Sequence, residues 1–97
     1  MGNSMNELTS LVDEMISDLR RRSFDDLNAL PVHKDDHSKG YSFATWKDTL
    51  TPDVIRIVVQ GYKSGLFGVG KMYAQGFRKT KSGQIYELGE DELFEFS

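Results

Sequence analysis

Two short stretches of the sequence hold residues whose types and spacing could do chemistry. The first, GLFGVGKM from Gly65 to Met72, fits the pattern G-x-x-x-x-G-K that opens a phosphate-binding loop. Such a loop also needs a Ser or Thr after the lysine to hold magnesium, a preceding parallel strand and a following helix. Met72 takes the place of the hydroxyl residue, and the residues after it alternate like a strand. We therefore interpret the match as accidental and predict a wide hairpin loop.

In this hairpin interpretation the glycines and the apolar residues have separate roles. Glycine takes positive backbone φ angles at little cost, as a wide loop requires. The glycines expected to do so are Gly61, Gly65, Gly68 and Gly70. Leu66 and Phe67 then lie at the loop tip, where apolar side chains either fold back onto the core or mark a contact surface. We predict that they fold back, and we keep Leu66, Phe67 and Lys71 as candidate partner-binding residues.

The second stretch, HKDDH, places His33 and His37 four residues apart with two aspartates between them. Imidazoles and carboxylates are ligands for zinc and other divalent ions, and either histidine could serve as a general base. On a helix this spacing would point both rings the same way, but Pro31 and the polar run Val32–Gly40 favour a loop. The sequence holds no third histidine. We predict a solvated loop without a metal site; His33 and His37 are the candidate ligands if a metal does bind.

The elements that position these stretches begin with an amphipathic helix. Between Asn6 and Arg22, apolar residues recur every three or four positions and form one stripe: Leu8, Leu11, Val12, Met15 and Leu19. Three arginines end this segment, where positive charge complements the helix dipole. Ser23 can then cap a short second helical piece, FDDLNAL, although a single helix reaching Ala29 is the alternative. Residues 1–5 are expected to be disordered.

After the polar run the apolar period changes to two, which is typical of strands. The predicted strands are Tyr41–Asp48, Val54–Tyr62, Lys71–Lys79 and Gln84–Leu88. The second is apolar on both faces, as a central strand is. Its Ile55, Ile57 and Val59 should point one way, and Arg56 and Val58 the other. The links between successive strands are short, which indicates antiparallel neighbours in a meander.

These elements predict an α+β fold in two layers. The N-terminal helix and the short second helical piece should pack on a three- to four-stranded antiparallel meander sheet. All 97 residues are expected to form a single domain, since a chain of this length falls near the low end of domain sizes. The tail EDELFEF is either a helical turn that places Leu93 and Phe96 on the core or an edge strand.

The charged residues are segregated along the chain. The net charge is -3 over residues 1–40, +5 over residues 41–83 and -5 over residues 84–97. The acidic ends could neutralise the basic middle within the fold, or could leave it free for a partner.

A basic sheet that carries aromatic rings suggests single-stranded nucleic-acid binding, because cations track phosphates while rings stack on bases. The candidate residues for such a face are Lys47, Arg56, Lys63, Lys71, Arg78, Lys79 and Lys81, with Tyr41, Trp46, Tyr62 and Tyr73. Two observations argue against this function. The whole chain has a net charge of -3, and at least half of the strand aromatics must face the helix.

No complete catalytic set can be assembled from the sequence, and the lack of cysteines excludes disulfides, thiol catalysis and thiolate metal sites. We therefore predict a non-enzymatic protein-binding module, regulatory or inhibitor-like in the manner of immunity proteins. The alternative is a single-stranded nucleic-acid-binding domain. We expect no cofactor and no membrane segment, another protein as the partner, a monomer or homodimer, and a cytoplasmic location.

Overall fold

The computed structural model describes residues 4–38, 40–63 and 71–93, except for the side chains of residues 4–6 and 71. Two helices open the chain, α1 (Ser4–Arg21) and α2 (Phe24–Asn28). The strands and the last helix are β1 (His33–Ser38), β2 (Tyr41–Thr51), β3 (Val54–Lys63), β4 (Lys71–Thr80), β5 (Ile85–Glu87) and α3 (Glu90–Leu93).

The strands form one sheet in the order β1-β2-β3-β4-β5, and every neighbouring pair is antiparallel. The predicted α+β fold, with a helix packed on an antiparallel meander, is therefore confirmed. The described sheet has five strands rather than three or four. Among the described helices, none combines the length and the apolar character that crossing a membrane demands.

The additional strand corrects the loop prediction for Val32–Gly40. His33–Ser38 pairs with β2 along its whole length, and Gly40 next to the connecting turn has a φ of 81°. The strand lies at the sheet edge, and its residues are exposed except for the half-buried Asp36. An edge strand with neither face buried needs no apolar alternation, so the periodicity signal that identified the other strands was missing here.

The N-terminal region forms two helices rather than one, so the first of the two alternatives is confirmed. Ser23 has extended backbone angles, and its Oγ accepts a hydrogen bond from the backbone N–H of Asp26 at 3.1 Å. This is the arrangement of a helix N-cap. Of residues 1–5, which were expected to be disordered, Ser4 and Met5 are the first residues of α1, and residues 1–3 lie outside the described part of the chain.

The core lies between α1, α2 and one face of the sheet, called here the helix face. Ile55, Ile57 and Val59 are all fully buried on it, as the predicted register requires. The helices contribute the buried side chains of Leu8, Val12, Ile16, Leu19, Phe24 and Leu27. Leu11 and Met15 from the predicted stripe are partly buried against this cluster.

Gly61 belongs to this core and not to the hairpin loop, which corrects its predicted role. It lies inside β3, and a Cβ placed on it would stand 2.6 Å from Val12 Cγ2 and 2.9 Å from Leu8 Cδ1. Carbon atoms cannot approach that closely without a shift. The missing side chain therefore allows α1 to pack closely on β3.

Candidate functional site: the sheet face opposite the helices

The second face of the sheet, called here the tail face, is the one on which α3 lies. Cross-strand pairing places Trp46 opposite Val58 and Arg56 opposite Arg78, and paired residues in antiparallel strands point to the same side. Three predicted partner-binding residues, Trp46, Arg56 and Arg78, therefore share this face. Arg56 and Val58 lie opposite the core isoleucines, as predicted from the sequence.

Arg56 is the centre of an ion-pair cluster on the tail face. Its side chain is only 8% exposed, and its Nη2 lies 2.7 Å from Oδ2 of Asp48. Its Nη1 lies 3.5 Å from Oε1 of Glu92, and Arg78 forms an ion pair with the same carboxylate oxygen. A buried guanidinium without carboxylate partners would be strongly unfavourable, so the cluster explains how Arg56 can lie inside the fold.

The carboxylate of Glu92 stays ionised because of its neighbours. Burial by itself would raise its pKa above the ordinary value of 4.5. The hydrogen bond and charge of Arg78, a hydrogen bond from the backbone of Gly89 and the charge of Arg56 together outweigh burial and lower the pKa. Glu92 therefore joins the tail to β3 and β4 as an anion at neutral pH.

Gln60 makes a second connection between the tail and the sheet. Its side-chain Nε2 donates to the carbonyl oxygen of Leu93 at 3.1 Å, and its Oε1 accepts from Nε1 of Trp46 at 3.1 Å. Gly76 lies nearby in β4, where an added Cβ would stand 2.7 Å from Leu88 Cδ1. The segment from Leu88 to Leu93 therefore packs closely on the sheet.

The tail is helical at Glu90–Leu93, in agreement with the helical-turn alternative. Leu93 is half-buried, and Phe96 lies outside the described residues. The tail covers the tail face and not the main core, so the sheet has a layer on both sides at this end. Asp48, Gln60 and Glu92 were not among the predicted site residues. The charge segregation was the one sequence signal that pointed to the tail.

Lys79 and Tyr73 lie on the other side of the sheet from Arg56 and Arg78. Lys79 is 8% exposed, and its Nζ donates to the carbonyl oxygens of Arg20 at 3.1 Å and Arg22 at 2.6 Å. The hydroxyl of Tyr73 donates to Oδ1 of Asp13 at 3.1 Å. The structure therefore does not bring the predicted basic and aromatic residues together on one face.

The remaining predicted contact residues belong to the β3–β4 connection. Lys71 is the first residue of β4 and pairs with Lys63, the last residue of β3, so the glycine-rich stretch joins two antiparallel strands. This confirms the hairpin and excludes the phosphate-binding loop, which requires a helix after the lysine. Leu66 and Phe67, with their predicted packing at the loop tip, lie outside the described residues.

His33 and His37 lie on β1 and pair with Trp46 and Ser42 of β2, so their side chains lie on the tail face. Residues four apart share a face on a strand, as they do on a helix. The His33 ring stacks on Trp46 with centroids 4.0 Å apart and planes 7° apart, and His33 Nε2 lies 2.9 Å from Asp35 Oδ1. His37 Nδ1 lies 3.0 Å from Ser42 Oγ. Within the described part of the chain, no group of three or more His, Asp or Glu side chains could hold a metal ion.

The contact between His37 and Ser42 has the composition of a base and a nucleophile, but it is exposed to solvent. Nucleophilic catalysis also needs a third group that orients the base and a site that excludes water. His37 lies exposed on the edge strand β1, and Ser42 lies half-buried on the neighbouring strand β2. Such a contact serves as a cross-strand hydrogen bond and gives no support for a catalytic role.

A cavity lies elsewhere, between α1, β1 and the residues that join α2 to β1. It has a volume of about 140 Å³ and contains the apolar side chains of Met15, Leu19 and Leu30. Asp18, Arg22, Lys34 and Asp36 also line it. Neither histidine contributes to it, so the cavity and the titratable edge strand do not form one site.

Comparison with known proteins identifies no relative: the chain matches no protein-family model, no curated protein and no solved structure at a significant level. The tail-face cluster and the edge strand are therefore interpreted from their geometry.

Proposed function

We propose that this chain is a non-enzymatic module that binds a basic protein through its acidic outer surface, as a regulator or inhibitor does. The observation that carries the proposal is an asymmetry between the two kinds of charge. Five basic side chains, four of them on strands, are bound within the molecule, whereas Asp25, Asp26, Glu90 and Asp91 stay exposed. The charge presented to a partner is therefore more negative than the charge of the strands suggests.

Contacts within the fold hold the basic side chains. Arg56 and Arg78 share Glu92, and Lys79 binds the carbonyl oxygens at the end of α1. Lys47 Nζ lies 2.7 Å from the carbonyl oxygen of Asn28, and Arg20 pairs with Glu87. Phosphate groups would have to compete with each of these contacts, so the geometry gives less support to the alternative of single-stranded nucleic-acid binding.

Exposed carboxylates occur in both acidic segments of the chain, residues 1–40 and residues 84–97, called here the acidic ends. Asp25 and Asp26 lie in the first turn of α2, and Glu90 and Asp91 in that of α3; all four residues are exposed. Complementary charge across an interface accelerates association and selects among partners. A basic partner suits these two acidic ends, and a nucleic acid does not.

The test is capture of partners from cell extract on the immobilised, untagged chain, after nuclease treatment. The variant pairs Asp25→Asn/Asp26→Asn and Glu90→Gln/Asp91→Gln remove exposed charge at one end each, without touching the Arg56 cluster. We expect a basic protein to be retained by the wild type, eluted by salt, and lost with at least one pair. Retention that disappears on nuclease treatment would instead favour the nucleic-acid alternative. Equal retention by the wild type and both variants would contradict the proposal.

A further inference from the structure

No described strand pairs with the outer edge of β1, so the backbone groups on that side follow one another in a regular order without a strand partner among the described residues. Lys47 N–H donates to the carbonyl oxygen of Val32 at 2.9 Å, which sets the hydrogen-bonding phase of the β1–β2 ladder. In an antiparallel pair the bonded residues alternate, so Lys34, Asp36 and Ser38 bond to β2. His33, Asp35 and His37 direct their N–H and C=O groups away from β2, toward the open edge. Their side chains all lie on the tail face.

We infer that β1 is a metal-dependent self-association edge, in which a divalent cation such as zinc joins two copies of this chain through His33, Asp35 and the partner's His37. The inference does not rest on the proposed function, because it uses none of the exposed carboxylates of α2 and α3 from which that function was argued. Each copy holds an incomplete ligand set, and the second copy completes it.

Charge complementarity selects one alignment of the two strands. With the twofold axis at Asp35, Lys34 lies opposite the partner's Asp36 on the helix face, and the reverse pair is equivalent by symmetry. Moving the axis to Lys34 would place lysine opposite lysine, and moving it to Asp36 would place aspartate opposite aspartate. Opposite charges across strands stabilise a pair, and like charges destabilise it. The axis at Asp35 gives two opposite-charge pairs on the helix face against one like-charge pair, Asp35 with the partner's Asp35, on the tail face. It is therefore the favoured alignment once that single like-charge pair is neutralised.

In that alignment His33 lies directly opposite the partner's His37 on the tail face. Directly opposite residues have Cβ atoms about 4.5–5.5 Å apart, close enough for both rings to reach one ion. His33 Nε2 and Asp35 Oδ1 already lie 2.9 Å apart within one chain. Two ligands of one tetrahedral zinc, each about 2.0–2.2 Å from the ion, lie about 3.3 Å apart, so only a small adjustment is needed. Two equivalent three-ligand sites result.

Contacts outside the ligand set orient both histidines. The His33 ring is held against Trp46 by stacking. In the tautomer with the proton on Nδ1, His37 donates to Ser42 Oγ at 3.0 Å and carries its lone pair on Nε2. A hydrogen bond from the second ring nitrogen is the usual way in which proteins orient a metal-binding histidine.

The same alignment explains why metal would be required. The twofold axis places Asp35 directly opposite the partner's Asp35, and two like charges there oppose the pairing. Charged residues on an edge strand are a common protection against uncontrolled strand addition. A bound divalent cation neutralises these carboxylates and so removes the barrier.

The experiment uses the untagged chain, with mass measured by light scattering during gel filtration. We expect the mass to double from 11.0 kDa when one equivalent of zinc is added. The mass should return to the monomer value when zinc is chelated. Trp46 is the only tryptophan and stacks on a proposed ligand, so cobalt should quench its fluorescence while producing the visible absorption of a tetrahedral site.

His33→Gln and His37→Gln are the test variants, because each removes a proposed ligand and leaves the Asp35 charges in place. Asp53→Asn, in the exposed β2–β3 turn, is the control. Loss of even an outer contact lowers metal affinity by about 10–100-fold, so each test variant should need at least about tenfold more zinc to dimerise. The control should behave as wild type. A mass that stays at the monomer value with excess zinc, zinc binding without dimerisation, or a test variant that dimerises like wild type would each overturn the inference.

Discussion

The side chain of Lys79 lies on the helix face of the sheet and binds the end of α1, with its Nζ 2.6 Å from the carbonyl oxygen of Arg22. A second carbonyl oxygen, that of Arg20, lies 3.1 Å from the same atom. Carbonyl groups at a helix C-terminus lack partners within the helix and carry partial negative charge. Lys79 therefore caps α1 from a strand that lies more than fifty residues further along the chain.

Replacing Lys79 with methionine should lower the free energy of unfolding by about 1.5–3 kcal/mol, because a charged hydrogen-bond donor is lost from a buried position. Urea unfolding followed by circular dichroism measures the change. Lys81→Met, at an exposed position two residues away, is the control and should stay within about 0.5 kcal/mol of wild type. If both variants are equally stable, Lys79 does not act as the cap.

Glu92 should make stability depend on pH in the acidic range. Its pKa is lower in the folded state than the ordinary 4.5 of an unfolded chain, so the unfolded state binds more protons between the two values. The stabilisation is complete above pH 4.5 and is lost as the pH falls through the folded-state pKa. Thermal melts from pH 3 to 7 should show a gap between wild type and Glu92→Gln that closes on acidification.

The matched control for this pH series is Glu90→Gln, an exposed position in the first turn of the same helix. Its melting temperatures should follow those of the wild type throughout. A gap between wild type and Glu92→Gln that is the same at pH 3 and pH 7 would show that the carboxylate charge has no part in holding the tail.

Gly61→Ala should destabilise the fold by overpacking, at a cost of about 1–3 kcal/mol. The added methyl would meet Val12 Cγ2 at 2.6 Å, and the branched side chain of Val12 can adopt few other rotamers in a helix. The double variant Gly61→Ala/Val12→Ala tests the cause, because truncation of Val12 makes room for the methyl. In a double-mutant cycle, the alanine at position 61 should cost less in the Val12→Ala background than in the wild type.

Ile57→Ala should lower the free energy of unfolding by about 2–5 kcal/mol, as for other buried isoleucines truncated to alanine. Ile57 is fully buried in the centre of β3. Ile85 is 37% exposed on β5, so Ile85→Ala is the matched control and should cost distinctly less. Chemical denaturation of both variants gives the comparison, and equal costs would be inconsistent with a core on the helix face.

The intact chain should not bind single-stranded oligonucleotides in a fluorescence anisotropy titration at low salt, because Arg56 and Arg78 are paired with Glu92. Glu92→Gln leaves both arginines without this anion and should produce weak binding that falls with salt. The log–log slope would be about -0.7 for each phosphate neutralised. Tight, salt-dependent binding by the wild type would contradict the proposed function and promote the nucleic-acid alternative.

Local patterns in the sequence determined most of the fold. The stripe of Leu8, Val12 and Leu19 marked α1, and Ser23 marked the start of α2. Alternation marked β2 and β4, and a run that is apolar on both faces marked β3. These features could be predicted because each depends on residues a few positions apart, whose burial on one side sets a period of 3.6 or 2. The phosphate-loop match could be rejected for the same reason, since the residues after Lys71 already alternate like a strand.

The tertiary structure alone decided where each charged side chain goes. The sequence analysis proposed Arg56, Arg78 and Lys79 for one basic face. Whether Arg56 and Arg78 meet solvent or the tail depends on Glu92, which lies 36 and 14 residues from them. Lys79 differs from Arg78 by one position, and one position in a strand exchanges the two faces of the sheet. The polar edge strand β1 was missed because backbone pairing with β2, not burial, makes it a strand. Long-range pairing of this kind leaves no local period in a sequence, so only the folded chain shows which cations are neutralised and which edge stays open.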